Sequence, residues 1–308
     1  MAKKAQILHF TSPHLFEFNE RFYRNDGVIS WEELEEAHQM LSSKSYMQEA
    51  SYFEYATFLA LFLAKDLEFL ILEAGLGGEF DSTNVIEEKL SVFTQIGRDH
   101  MEILGESIEQ IARTKLNSMG KIAFLGIQNH PQVLDIAQEI AEAKQSQLYL
   151  LKSYQNDPNF PLFLNQNFAL AKQVLNFLGV EAPQMKDLNL IGRMQRVREN
   201  IWLDVGHNVD GALALAEEFK NQKITLVYNA YEQKEIAQVL AALKEIAYEI
   251  QIIEVQDKRI IKRERLEEIL MSLKINYRDF EGFSEDRHYL VFGSFSVIRR
   301  ALEILDEK

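Results

Sequence analysis

The sequence predicts an α/β protein with two domains, each built around a mostly parallel sheet. Segments typical of strands and of helices alternate along almost the whole chain, which favours doubly wound sheets. The 308 residues exceed the size of one ordinary hydrophobic core. The stretch "VEAPQMKDLNLIGRMQ" interrupts the alternation, with mixed polarity and no clear period. We therefore expect one domain over residues 1–186 and a second over residues 187–308.

Short apolar runs and amphipathic periods predict the elements of the first domain. "QILHFTSPH" and "LSVFTQIG" indicate strands, and the continuous apolar run "LEFLILEAG" is typical of a buried parallel strand. "SIEQIARTKLNSMG" predicts a helix with Ser107 as N-cap, Gln110 as its capping-box partner and Gly120 just beyond its end. In "SYFEYATFLALFLAKD" a helical period places six apolar residues on one face: Tyr52, Phe53, Ala56, Leu59, Ala60 and Leu63.

The first domain continues with a strand "KIAFLGI", a helix "PQVLDIAQEIAEAK" with Pro131 in its first turn, and a strand "SQLYLL". A proline-containing irregular stretch and the helix "NQNFALAKQVLNFLG" follow. The second domain repeats the alternation with strands "NIWLDVG", "KITLVYN", "YEIQIIEV" and "HYLVFGS". Its helices are "DGALALAEEFK", "KEIAQVLAALKEI", "RERLEEILMSL" and "FSVIRRALEIL". Repeated strand–helix units of this kind indicate a parallel sheet in both domains.

Composition excludes several classes of function. The formal net charge is −14, which argues against a nucleic-acid partner because phosphate binding favours a basic surface. The absence of cysteine excludes disulfides and thiolate metal sites. No apolar run approaches the ~20 residues that span a bilayer, and the N-terminus lacks a signal-peptide pattern. We expect a cytoplasmic protein that does not bind membranes and that is a monomer.

Polar residues follow three of the predicted strands. Ser12 follows "ILHF", Glu73 follows "FLIL", and His100 follows "VFTQIGRD". Ligands of open parallel sheets bind beyond the carboxyl ends of the strands, so these side chains are expected to share one edge of one sheet. A hydroxyl, a carboxylate and an imidazole could hold a hydrated divalent cation beside a phosphate there.

Each of these residues also has an ordinary structural explanation. Ser12 before Pro13 is typical of a turn, Glu73 could cap a helix or pair with a lysine, and a single histidine is more often a surface or core residue than a ligand. The glycines of "EAGLGG" could simply form a tight turn. A dinucleotide-binding fingerprint is the main rival, but Phe80 stands where its third glycine would be.

Seven segments together resemble one enzyme family. They are "FTSPHLFEFNERFYRNDGVIS", "YFEYATFLALFLA", "EAGLGGEFDSTNVI", "IGRDHMEILGESIEQIARTK", "GRMQRV", "LDVGHNVDGALALAEEF" and "VFGSFSVIRRALE". Their order and content resemble the folylpolyglutamate synthase and dihydrofolate synthase family of the Mur ligase superfamily. The resemblance implies a central ATPase-type parallel-sheet domain, truncated here, followed by a Rossmann-like C-terminal domain of the glutamate-ligase type.

The resemblance also implies roles for individual residues. Ser12, Glu73 and His100 match the magnesium ligands of the family. Lys115 matches a lysine that is carbamylated in the superfamily and helps to hold a second magnesium; without the motif it would pass for a solvent-exposed helix lysine. Phe53 and Asp81 fall where the family contacts the pterin-bearing substrate.

In the second half of the chain the resemblance implies nucleotide-binding and catalytic residues. Asn167, Arg193, Asp204 and Asn208 match residues on the nucleotide side, and Asp204 and His207, with Lys115, match catalytic positions. Those in the C-terminal domain close on the nucleotide and on the incoming glutamate. Without the motif, "LDVGHN" would indicate a strand followed by Asn208 as a helix N-cap. Lys234 is a looser match, to a lysine in the next strand-end loop.

The implied reaction joins L-glutamate to a folate-type carboxylate, in folate biosynthesis and one-carbon metabolism. The carboxylate attacks the γ-phosphate of ATP, and the amine of glutamate then attacks the acyl phosphate and releases phosphate. ATP is the implied co-substrate and Mg²⁺ the implied cofactor, at two sites, where it neutralises charge on the transferred phosphoryl group. Dihydropteroate, tetrahydrofolate or both could be the substrate, and the length of any glutamate tail stays open.

One family feature has no counterpart in these 308 residues. Relatives carry a phosphate loop of the "TGTNGKGS" kind upstream of "FTSPH", and no G-x-x-x-x-G-K-S/T stands in this sequence. We therefore expect weak ATP binding and little turnover by this chain alone, and a first sheet without its front edge. Leu164 also stands where the family has a glutamine. The alternatives are a shortened synthase and a non-catalytic folate- or nucleotide-binding protein of the same fold.

Overall fold

A computed structural model describes residues 6–25, 27–87, 89–184 and 190–306. The described chain forms two compact units. The first consists of Met1–Ile96, His100–Phe124 and Gln128–Tyr149, and the second of Gly97–Asp99, Leu125–Ile127 and Leu150–Lys308. The predicted domain boundary between residues 186 and 187 lies outside the described residues and stays a prediction.

The first unit opens with a four-stranded sheet in the order β3-β2-β1-β4. Its strands are β1 (Ile7–Phe10), β2 (Phe22–Arg24), β3 (Gly27–Val28) and β4 (Phe69–Leu72). Strands β1 and β4 run parallel, whereas β2 is antiparallel to β1. Helices α1 (Trp31–Ser42) and α2 (Tyr52–Leu63) complete this layer. The core between them contains Leu8, Phe10, Phe22, Leu34, Ala56, Leu59 and Ala60.

The prediction that the "LEFLILEAG" strand is buried on both faces is wrong. Leu70 and Leu72 pack against the core, but Phe69 is 39% and Ile71 53% exposed. Strand β4 is the last strand in the order of its sheet, and alternate side chains of a strand point to opposite faces. Only one face of β4 is therefore covered within the described residues. Tyr52, expected on the buried face of α2, is likewise 62% exposed.

A second, three-stranded sheet has the order β5-β6-β7. It consists of β5 (Leu90–Phe93), β6 (Ile122–Leu125) and β7 (Gln147–Leu150), with helices α3 (Met101–Leu104), α4 (Ile108–Leu116) and α5 (Pro131–Lys144). The predicted helix starts are confirmed: Ser107 and Gln110 form a capping box, and Pro131 opens α5. Gly120 is not the C-cap of α4, because Asn117 occupies that position.

The second unit contains a six-stranded sheet in the order β12-β11-β10-β13-β9-β8. Its strands are β8 (Gln195–Arg198), β9 (Ile201–Asp204), β10 (Ile224–Tyr228), β11 (Ala247–Ile252), β12 (Tyr277–Asp279) and β13 (Tyr289–Phe292). All neighbours pair in parallel except β8, which is antiparallel to β9. The α/β class predicted from the alternation is confirmed, whereas β8 and β12 were not predicted.

In the described part of the second unit, the six-stranded sheet is accompanied by the helices α6 (Leu162–Phe177), α7 (Val209–Glu218), α8 (Ile236–Leu243), α9 (Arg263–Leu273) and α10 (Phe295–Asp306). In the core, the rings of Tyr228 and Phe292 stack with centroids 5.7 Å apart. Phe292 pairs with Tyr228 on one side and with Asp204 on the other, so β9, β10 and β13 end at the same edge. None of the described helices is both long and apolar enough to cross a membrane.

Candidate functional site

The glycine-rich turn after β4 is organised by Asp81. One oxygen of this carboxylate, Oδ2, accepts hydrogen bonds from the backbone N–H groups of Gly75 and Leu76, both at 2.9 Å. The other, Oδ1, accepts from the backbone N–H of Thr83 at 2.9 Å and from its hydroxyl at 2.6 Å. Asp81 is also the N-cap of the 3₁₀ helix Ser82–Val85. Both oxygens therefore shape the loop, and contact with a substrate stays a prediction.

The same turn lies tightly against α2 and α4. A Cβ atom on Gly75 would lie 2.6 Å from the ring of Phe53, and one on Gly78 would lie 2.7 Å from the backbone oxygen of Lys115. Both distances are far shorter than a normal contact, so the glycines permit this approach. The backbone N–H of Glu79 donates to the carbonyl of Thr114 at 2.9 Å. The structure thus brings the turn, Phe53 and the backbone of Lys115 together.

Ser12 and Glu73 meet beyond the ends of β1 and β4. Phe10 pairs with Leu72 in parallel register, so the residues that follow leave the sheet at the same end. The backbone N–H of Ser12 donates to Glu73 Oε2 at 2.9 Å, and the Thr11 hydroxyl makes a short hydrogen bond to the same oxygen. Glu73 is exposed, and its Oε1 accepts no hydrogen bond from any residue that the structure describes.

This donor set fits a magnesium ion. Carboxylate and hydroxyl oxygens are hard ligands of the kind that Mg²⁺ prefers. The two hydrogen bonds to Oε2 fix the orientation of the Glu73 carboxylate and leave Oε1 for an ion. Ser12 is half-buried and lies at the same strand end. The structure thus brings two of the three predicted ligands together.

His100 lies in a different local setting. It follows β5, which belongs to the three-stranded sheet, whereas β1 and β4 belong to the four-stranded sheet. The expectation that all three residues share the edge of a single sheet is therefore wrong, because β4 pairs with β1, and β5 with β6. His100 has left-handed backbone (φ 51°) before α3, and its Nδ1 lies 3.4 Å from Glu102. Its role as a metal ligand stays a prediction.

Lys115 occupies the last turn of α4 and is half-buried. Lys115 is thus less exposed than the alternative interpretation, a solvent-exposed helix lysine, would suggest. Its backbone carbonyl accepts a hydrogen bond from the Ser118 hydroxyl at 2.7 Å, which fixes the end of the helix beside the glycine-rich turn. Carbamylation of its side chain stays a prediction.

In the second unit, Asp204 is the buried carboxylate at the end of β9. It is 5% exposed. Its oxygens accept hydrogen bonds from the backbone N–H of Gly206 at 2.7 Å and of Met194 at 2.9 Å. Burial raises the pKa of Asp204, because the charged form is poorly solvated, while these hydrogen bonds oppose the shift. Asp204 therefore fixes the loop before β8 and the loop after β9.

Asn208 is the N-cap of α7, the structural role that its sequence position indicates without the family motif. Its side-chain oxygen accepts a hydrogen bond from Gly211 N at 2.8 Å and caps α7. Its amide donates to Asp99 Oδ2 at 3.1 Å. One side chain thus starts the helix and also contacts a carboxylate.

Asp99 is a residue of this site for which the sequence predicted no role. Besides Asn208, it contacts His207, whose Nε2 lies 3.5 Å from Oδ2, and Lys234, whose Nζ lies 3.2 Å from Oδ1. His207 Nδ1 lies 3.1 Å from the backbone oxygen of Val205. The sequence feature that could have identified Asp99 is its position after β5, directly before His100. Within the second unit, Asp99 gathers three predicted site residues.

Arg193 and Asn167 are exposed. The guanidinium carbon of Arg193 lies 5.8 Å from the ring centre of Phe295, at the start of α10. Asn167 lies on α6, and the described contacts do not join it to Arg193 or to Asp204. The neighbouring Asn165 is instead buried, and its amide donates to the Asp157 carbonyl at 3.0 Å. Nucleotide binding by Asn167 and Arg193 stays a prediction.

Known proteins resemble the chain over most of its length, although no family model matches. The dihydrofolate synthase/folylpolyglutamate synthase of Buchnera aphidicola is 33% identical over 282 residues, which cover 79% of this chain and 66% of that protein. The crystal structure of Helicobacter pylori folylpolyglutamate synthetase is 41% identical with a TM-score of 0.73, covering 99% of this chain and 82% of that one. Escherichia coli FolC in complex with DHPP and ADP is 26% identical with a TM-score of 0.85, covering 98% and 82%.

The chain thus spans just under two thirds of the Buchnera protein, at 66%, and 82% of the other two chains. Identity of 41% over nearly the whole chain agrees with the seven sequence segments and with the α/β fold. The chain belongs to the folylpolyglutamate synthase and dihydrofolate synthase family.

Proposed function

We propose that this chain carries the catalytic parts of an ATP-dependent ligase that joins L-glutamate to a folate-type carboxylate. The pairing of Ser12 with Glu73 beyond two parallel strands supports this proposal most directly. It supplies an oriented carboxylate with one uncommitted oxygen, next to the glycine-rich turn. The E. coli relative is in complex with DHPP and ADP, which agrees with a folate-type ligand and a nucleotide.

Each part of the first unit has a task in this reaction. Glu73 and Ser12, with His100, would hold Mg²⁺, which neutralises charge on the transferred phosphoryl group. Phe53 and the Asp81-organised turn form the proposed contact surface for the pterin-bearing substrate. Lys115, in carbamylated form, is the proposed ligand of a second ion.

The second unit would provide the groups on the nucleotide and glutamate side. Asp204 fixes two loops at the carboxyl edge of the sheet. Its neighbours His207 and Asn208 are held against Asp99. Arg193 and Asn167 are the proposed exposed contacts to the nucleotide. A fixed arrangement of this kind lowers the entropic cost of bringing the reacting groups together.

Two chemical steps follow. The substrate carboxylate attacks the γ-phosphorus of ATP, so that a bond to ADP breaks and an acyl phosphate forms. The amine of glutamate then attacks the acyl carbon, phosphate leaves, and the amine loses a proton. Exclusion of water protects the acyl phosphate from hydrolysis.

The test is ADP release by the 308-residue chain at millimolar ATP with Mg²⁺, glutamate, and either dihydropteroate or tetrahydrofolate. Because these 308 residues contain no phosphate-loop motif, the proposal expects slow ADP release, which requires the folate acid and glutamate and which Glu73→Gln abolishes. Glu87→Gln is the matched control, because Glu87 is exposed and takes no part in the described hydrogen bonds of Ser12 and Glu73. Binding of all ligands without turnover would instead support the non-catalytic alternative.

A further inference from the structure

Arg21 is a buried cation in the first unit to which no role has been assigned. It ends the 3₁₀ helix Phe18–Arg21 and is 6% exposed. Its carbonyl accepts a hydrogen bond from Thr11 N at 2.9 Å. The main chain of Arg21 therefore supports the segment that carries Ser12, independently of its side chain.

Within the described residues, the side chain of Arg21 has two hydrogen-bond partners, the His14 ring and the Tyr52 hydroxyl, and neither is a carboxylate. Its Nε donates to His14 Nδ1 at 2.9 Å. Because an arginine Nε always carries a proton, His14 Nδ1 must be the acceptor and cannot carry one. His14 therefore acts as a hydrogen-bond acceptor and brings no negative charge to the guanidinium.

No carboxylate neutralises Arg21 either. Within the described residues, no Asp or Glu oxygen lies within the 4.0 Å of an ion pair with its guanidinium. Burial lowers the pKa of Arg21, while the Tyr52 hydroxyl and the Glu73 carboxylate oppose the shift. A buried, uncompensated charge is costly unless an opposite charge joins it.

The guanidinium has more donors than its described partners use. An arginine side chain carries five N–H donors. Within the described residues, Nε donates to His14, and the side chain also has a hydrogen bond with the Tyr52 hydroxyl. The remaining N–H groups are therefore available to a ligand.

Aromatic rings flank this guanidinium. Its central carbon lies 5.8 Å from the ring centre of Phe18 and 5.5 Å from that of Tyr52, and these two rings are 5.7 Å apart. Tyr52 is 62% exposed and directly precedes Phe53, which packs against the glycine-rich turn. The surroundings suit a planar aromatic acid, whose ring contacts the aromatic side chains while its carboxylate meets the guanidinium.

We propose that Arg21 is a substrate-binding residue, whose guanidinium binds the carboxylate of an aromatic, pteroate-type acid. A guanidinium presents its N–H donors in a planar fork that matches a carboxylate. The inference rests on the proposed function, since it names the group that would hold the folate-type acid. The main chain of Arg21 is hydrogen-bonded to Thr11, the residue before Ser12.

The experiment measures binding of two probes, pteroate and its neutral primary amide, to the 308-residue chain by fluorescence titration. The titrations are run in EDTA, so that no metal contributes to carboxylate affinity. We expect the unchanged chain to bind pteroate about 10- to 100-fold more tightly than the amide, the range for a hydrogen-bonded charge. Arg21→Met should remove this preference, and Arg21→Lys should retain part of it.

Arg24→Met is the matched control. Arg24 lies three residues away, and its guanidinium is already paired with Glu33 at 2.5 Å, so the preference for pteroate should persist. Should Arg21→Met fail to fold, the Arg21→Lys variant and the probe ratio of the unchanged chain still decide the question.

Four outcomes would overturn the inference. A chain that binds pteroate and the amide equally has no carboxylate site. An Arg21→Met variant that binds both probes as tightly as the unchanged chain does places the site elsewhere. A variant that weakens both probes by the same factor shows a purely structural role. A chain that binds neither probe would remove the proposed folate-type ligand as well, so failure of the inference alone is distinguishable.

Discussion

Asp81→Asn tests whether one carboxylate holds the glycine-rich turn. Asp81 Oδ2 accepts two backbone hydrogen bonds at 2.9 Å, from Gly75 and Leu76. An amide cannot serve both pairs of donors, because one of its two ends is itself a donor. Hydrogen bonds to a charged group contribute about 1.5–3 kcal/mol each. The half-exposed position of Asp81 reduces this, and we expect a loss of about 2 kcal/mol in the free energy of opening the turn.

The assay is native-state hydrogen exchange followed by NMR or by mass spectrometry. A loss of about 2 kcal/mol corresponds to ~30-fold faster exchange of the Gly75 and Leu76 amides. Amides of the sheet core, such as Leu8, should exchange as before, because they do not contact Asp81. Asp66→Asn is the matched control, since Asp66 is exposed. Unchanged exchange at Gly75 and Leu76 in Asp81→Asn would refute the reasoning.

Three further predictions concern other parts of the chain. Glu73→Gln should weaken Mg²⁺ binding at least about tenfold in calorimetric titration, because the charged oxygen ligand is lost. Glu87→Gln should leave the Mg²⁺ affinity unchanged. A Glu73→Gln variant with the same Mg²⁺ affinity as the unchanged chain would contradict the proposed metal site. Burial raises the pKa of Asp204 in the folded state above its unfolded value of ~3.9. Between these two pKa values the folded state binds more protons than the unfolded state. The free energy of unfolding should therefore fall as the pH rises through this interval. Urea unfolding of Asp204→Asn should lack this fall, and an identical pH profile would contradict the assignment. Gly293→Ala should lose at least about 2 kcal/mol of stability, because φ is +127° and the added Cβ would lie 2.0 Å from the oxygen of Asn229; an unchanged melting temperature would argue against this strain.

Local signals in the sequence predicted local structure well. Ser107 with Gln110, Pro131 and Asn208 each mark a helix start that the structure confirms, because capping depends on residues within one turn of the helix. The parallel sheet of the second unit also follows from the alternation of apolar strands with amphipathic helices. Strand β8 was missed because "QRVR" is polar and alternately exposed.

Contacts between distant residues could not be obtained in this way. The apolar run of β4 is typical of a strand buried on both faces, yet its burial depends on what covers each face of the sheet. Asp81 and Asp99 carry no local pattern that reveals how many groups they bind. Their roles arise from loops that tertiary packing brings together, such as the approach of Lys234 to Asp99.

The uncompensated charge of Arg21 is a further property that only the structure reveals. In the sequence, Glu20 stands directly beside Arg21. In the structure, Glu20 instead accepts hydrogen bonds from the backbone of Leu15, Phe16 and Glu17. The carboxylate that was available to Arg21 is thus used to shape the loop after Ser12.

Transfer of an oxygen atom tests the proposed reaction most directly. Dihydropteroate labelled with oxygen-18 in its carboxylate is incubated with the chain, Mg²⁺, ATP and glutamate, and the released phosphate is analysed by mass spectrometry. An acyl-phosphate intermediate predicts one labelled oxygen in each phosphate released with a glutamylated product. Glutamylated product accompanied by unlabelled phosphate would contradict this mechanism.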